Sequence, residues 1–170
     1  MFRSILPIIL IPAAWTLTFA TIIYPGLDSY WIEHMHYAIT GFLLIFIGTS
    51  WHDMSSGVLQ IWRRIMTIGL VATIVGALSF TADFYPHVLA SISLFYWLTA
   101  PGIASYFTSK EINDYKKAYR FAGYLGISAV LLYLQGYIIS SEIFKASAIF
   151  IALTSQTYTI IVAAKLNDIF

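Results

Sequence analysis

The chain has 170 residues, of which 59% are hydrophobic, 17% aromatic and 10% charged, with a mean hydropathy of +0.80; a soluble domain is charged at about a quarter of its positions. Lipid must therefore solvate most of it, and a net charge of +1 gives no footing for nucleic acid and no basic amphipathic run for a membrane surface. The absence of cysteine excludes disulfides, thiolate metal sites, iron–sulfur ligation and cysteine nucleophiles.

Apolar segments of about 20 residues, the length that crosses a hydrocarbon core of roughly 30 Å, account for nearly the whole chain. They predict helices over 4–24, 33–52, 63–82, 87–107, 119–140 and 145–164, an all-α bundle of six membrane spans occupying 1–170 as one unit with short loops. The first segment, after Met1-Phe2-Arg3, has the small residues Thr18 and Ala20 of a cleavable leader but is read as a retained spanning helix. It contains Pro7 and Pro12, so a bend is expected near Pro12, and Pro25-Gly26 ends it. Polar runs separate the later segments: His52 to Gly57, Asp83 to Pro86, Lys110 to Lys117 and Ser141-Glu142.

With an even number of crossings, all of the nine Lys and Arg residues except Lys145 fall on the side of the termini. The positive-inside rule then makes both termini cytoplasmic and the chain a multi-pass protein of the cell membrane. On the opposite face lie Asp28, Glu33, His34, His36, Asp83, His87 and Glu142, flanked by Tyr24, Tyr30, Trp31, Tyr37 and Tyr85, as in an interfacial aromatic belt. Packing in lipid relies on small residues. Ala38, Gly41, Ile45 and Gly48 make one stripe on the second segment, and Ala72 with Gly76, Ala100 with Ala104, Ala122 with Gly126 and Ala148 with Ala152 repeat the spacing.

Three of the four histidines thus share a side with carboxylates, a vocabulary suited to copper, zinc or iron. Glu33 and His36, three residues apart, share a helix face, and His87 with Asp83 comes from the neighbouring hairpin; these four are the candidate metal ligands. His34 points away from His36, and no spacing matches a known metal motif. The same His36 and His87 could instead hold one b-type haem, whereas His52 stands alone on the other side and disfavours a second.

In this register every Asp, Glu, Lys and Arg is expected at or beyond a segment end, which argues against a proton relay at bilayer depth. Gln135, Thr154, Ser155, Gln156, Thr157 and Thr159 are expected to bond within or between helices, or else to line a substrate path. Pro12 and Pro101, each in the first segment of its half, are the one hint of an inverted repeat. No Gly-x-Ser-x-Gly is present, and Ser55-Ser56 beside His52-Asp53 is adjacency and not triad geometry.

The function expected first is a non-catalytic accessory subunit of a larger membrane assembly, for example a respiratory or metal-dependent oxidase, with lipids and other membrane subunits as partners. The alternatives are a protein that itself binds a metal or haem through His36 and His87, and a small-molecule or lipid transporter. A cavity reaching Gln135 and Gln156 would favour the transporter.

Overall fold

A computed structural model describes residues 2–24, 26–27 and 29–166, with side chains between 7 and 165. Asp28, Pro25 and the tail after 166 lie outside the described residues. Within them the chain is helical: α1 (Phe2–Ile23), α2 (Ser29–Ser50), α3 (Gly57–Leu78), α4 (Pro86–Glu111), α5 (Lys116–Ile138) and α6 (Glu142–Leu166), with no strand among the described residues.

Four of these helices, α3 to α6, are long and apolar enough to cross a membrane. In α1 the residues whose side chains are described form the apolar stretch Pro7–Ile23, and α2 carries Glu33, His34 and His36 in its first turns. Most helices begin a few residues before the apolar runs do. The backbone must satisfy its own hydrogen bonds well before the side chains become uniformly apolar, so polar residues are drawn into the first turns. The largest shift is in α3, which starts at Gly57 and places Arg63 nearly two turns inside. Its guanidinium reaches back to the helix end, where it donates to the Trp51 carbonyl at 3.1 Å and lies 4.6 Å over the Trp51 ring. Pro7, Pro12 and Pro101 all lie inside continuous helices.

Successive helices from α2 to α6 pack side by side, and α1 closes the ring by seating on α6. The seam between α1 and α2 is the thinnest. On the α4–α5–α6 side the approach is set by small residues: a methyl group on Gly126 would lie only 2.7 Å from the Gly102 Cα, and Ala104, Ala122, Ala129 and Ala148 are fully buried. The pairs Ala72/Gly76, Ala100/Ala104, Ala122/Gly126 and Ala148/Ala152 all lie in the interior.

The stripe on α2 does not. Ala38, Ile45 and Gly48 are exposed, and a methyl on Gly41 or Gly48 would meet nothing within 4 Å. The opposite face wins because Ile39, Phe42, Leu43 and Phe46, at helical spacing, pack against Met66, Trp62 and Leu70 of α3. Large side chains there gain far more dispersion contact than the small stripe can supply.

Candidate functional site

The thin α1–α2 seam borders a cavity of about 400 Å³. Its walls come from α1 (Leu10 to Thr21), the first two-thirds of α2 (Ser29 to Leu43), α3 from Met66 onward and the first half of α4, with Gln156 of α6 at its deep end. Reading along α2 from Ser29 to Leu43, the cavity runs about 20 Å inward at 1.5 Å per residue. It thus extends from the α1–α2 and α3–α4 connections to the middle of the bundle.

The deep end is built around a proline. Pro101 has no N–H, which leaves the carbonyl of Trp97, four residues earlier in α4, without its helical partner. Gln156 Nε2 donates to that carbonyl at 3.0 Å, while its Oε1 accepts from Trp15 Nε1 of α1 at 2.9 Å. Trp97 Nε1 in turn donates to Thr73 Oγ1 at 2.9 Å, and Thr73 donates to the Gly69 carbonyl at 2.8 Å. These polar atoms are spent on one another, so the floor offers a ligand mainly indole faces, Leu10, Leu43 and Met66. The same network ties α1, α3, α4 and α6 together.

Polarity rises toward the mouth, where Thr18, Thr21, His36, Ser79 and Ser93 line the wall. The hydroxyls of Thr18, Thr21 and Ser79 donate to carbonyls of their own helices. His36 Nδ1 lies 2.9 Å from the Ile32 carbonyl, which can only accept, so in the neutral ring Nδ1 carries the proton and Nε2 presents its lone pair. Across from it Ser93 is 3% exposed, with no hydrogen bond from its hydroxyl among the described residues. Gly76 allows the approach: a methyl there would lie 2.9 Å from His36 Nε2 and 2.7 Å from Ser93 Oγ.

The other residues proposed from sequence are placed differently. Glu33 accepts from the Tyr37 hydroxyl at 2.7 Å, and Asp83 and His87 are exposed at the α3–α4 connection. His34 is exposed on the far side of α2, its ring stacked 3.8 Å from that of Tyr30, while His36 turns inward with Phe80 5.4 Å away. Among the described residues no three His, Asp or Glu side chains form a group that could hold a metal ion. Of the mid-helix polar residues, Ser155 donates to the Ala122 carbonyl, and Thr154 and Thr159 bond to carbonyls of α6. Thr157 Oγ1 is buried without a partner among the described residues, and Gln135 is exposed.

Sequence reasoning passed over Trp15, Thr73, Ser93 and Trp97. Trp15 and Trp97 did carry a signal: they lie mid-segment, far from the interfacial belts, where an indole N–H must find an acceptor inside the bundle. Pro101 carried another, since its missing N–H requires a donor from a neighbouring helix.

No protein-family model, no curated protein and no solved structure matches the chain.

Proposed function

We propose that this chain is a non-catalytic, six-crossing protein of the cell membrane that holds a lipid-soluble small molecule in the cavity beside α1 and α2. The observation that carries the reading is the cavity itself. Its volume of about 400 Å³ falls in the range of roughly 300–1,000 Å³ typical of small-molecule sites. An apolar wall with few polar groups gives water too few partners and an apolar molecule many contacts. Both termini are assigned to the cytoplasmic side because every Lys and Arg except Lys145 then lies there. Lys145 is paired with Glu142 at 2.8 Å, which softens the exception.

Quenching of tryptophan emission tests the reading, because Trp15 and Trp97 border the cavity. Purified protein in nanodiscs is titrated with 1-bromoundecane, and saturable quenching is expected. Ala14→Phe, which puts a ring into the cavity, should remove the saturable component. Quenching that is identical in Ala14→Phe and the parent reports only probe dissolved in the bilayer and would end the proposal.

A second reading, an accessory subunit of a larger membrane assembly, is supported by the outward stripe of Gly41, Ile45 and Gly48 on α2. Small residues facing outward let another helix approach closely. The two readings are compatible, and native electrophoresis in mild detergent separates them: a lone chain with no co-purifying subunit counts against the second.

A further inference from the structure

We infer that the molecule held in the cavity is an amphipathic alcohol, an apolar body ending in one hydroxyl, with that hydroxyl seated between His36 Nε2 and Ser93 Oγ. The inference deepens the cavity reading and rests on it.

The first step is the distribution of unused polar atoms. At the deep end, Gln156, the two indoles and Thr73 bond one another. Nearer the mouth, Thr18, Thr21 and Ser79 spend their hydroxyl protons on backbone carbonyls. His36 Nε2 and Ser93 Oγ differ from all of these. Both residues line the cavity, and because a methyl on Gly76 would lie 2.9 Å from one atom and 2.7 Å from the other, the two are close enough for a single oxygen on the cavity side to reach both; no hydrogen bond engages the Ser93 hydroxyl among the described residues. Neither atom is sealed in protein, the one buried side-chain atom without a partner among the described residues being Thr157 Oγ1; both belong to residues that line the cavity, where a ligand can reach them.

The second step is the match. Because Nδ1 holds its proton against the Ile32 carbonyl, Nε2 is an acceptor and asks for a donor. Ser93 can donate. A hydroxyl answers both, giving its proton to Nε2 and receiving one from Ser93 Oγ. A carbonyl has no proton for Nε2, and a carboxylate would face its lone pair. The orientation follows from the polarity gradient: the hydroxyl stops at the level of His36 while the apolar body continues toward Leu43, Met66 and the Trp15 and Trp97 rings.

The experiment compares 11-bromoundecan-1-ol with 1-bromoundecane as quenchers in nanodiscs, with concentration expressed as mole fraction in the bilayer so that partitioning drops out. In the parent chain the alcohol should reach half-quenching at about a tenfold lower mole fraction, the worth of one or two hydrogen bonds made away from water. Ser93→Ala and His36→Phe should each narrow that gap, and the double variant should close it. Bromoundecane quenching should stay saturable in Ser93→Ala, showing that the cavity persists; should His36→Phe not fold, Ser93→Ala carries the test by itself. Equal half-quenching by the two probes in the parent, or a gap that Ser93→Ala leaves intact, overturns the inference while the cavity reading stands. If neither probe quenches saturably, the cavity reading itself falls.

Discussion

The α4–α5–α6 side and the α1–α2 side of this bundle use the same kinds of residue to opposite effect. Between α4 and α5 the glycines at 102, 123 and 126 bring the backbones nearly into contact; a methyl on Gly123 would lie 3.0 Å from the Tyr106 backbone. Between α1 and α2 the helices scarcely touch, and α2 turns its glycines outward. From Glu33 to Thr49 the polar side chains of α2 that bond do so within α2 itself. Lipid tails satisfy apolar side chains as well as protein does, so close packing in a membrane has to come from small residues facing each other. Where they face inward the bundle is solid; where they face outward it leaves space that a ligand can use.

If that contrast is right, the heaviest damage comes from crowding the solid side. Gly126→Leu would drive a branched side chain into the Gly102 Cα, where even a methyl has only 2.7 Å. The cost should be about 3 kcal/mol or more, beyond ordinary overpacking because backbone has no rotamer to yield. Reversible unfolding in mixed SDS micelles measures it. Ala14→Phe, a comparable increase in volume on the cavity side, should change stability by less than about 1 kcal/mol, because the added ring enters open space. Equal losses for the two would erase the distinction between the sides.

A smaller effect tests how the open side is held. Gln156→Leu strips the acceptor from Trp15 and the donor from the Trp97 carbonyl, and should cost about 1–3 kcal/mol. Pro101→Ala returns a backbone N–H to that carbonyl, so in the double variant part of the loss should be absent. The coupling of the cycle should be about 0.5–1 kcal/mol in the rescuing direction. Strict additivity would mean that Gln156 does not stand in for the hydrogen bond that Pro101 removes.

The helical class and the six segments were legible because long apolar runs punctuated by polar residues leave few alternatives. Four of the five small-residue patterns pointed inward, as their spacing suggested. The fifth misled, since spacing defines a stripe but not which way it faces, and on α2 Phe42, Leu43 and Phe46 competed for the same interior. His36 was singled out for its chemistry and does border the cavity, but its neighbours there are Ser93 and Gly76 instead of carboxylates. Those contacts join residues some forty to sixty positions apart on different helices, and no local pattern encodes them. Gln156 was visible as a polar residue in an apolar run, yet Gln135, similar by the same criterion, is exposed. What separates them is Pro101, which makes a demand that Gln156 is placed to answer.

The smallest expected effect falls on the outward stripe. Gly48→Leu and Gly41→Leu place side chains where a methyl meets nothing within 4 Å. They remove a glycine from a helix interior, which by itself favours the helix by about 0.5–1 kcal/mol. Unfolding of the isolated chain should therefore be unchanged or slightly shifted toward greater stability, in direct contrast to Gly126→Leu. Association should not be so tolerant: if another membrane helix lies along Gly41, Ile45 and Gly48, a leucine at either glycine would hold the two backbones apart and weaken the complex. Native electrophoresis of Gly48→Leu beside the parent measures this. Loss of a larger species without loss of stability would assign the stripe to an interface between chains. Loss of stability in the lone chain would instead show that α2 turns its glycines inward, and the cavity would then need a different wall.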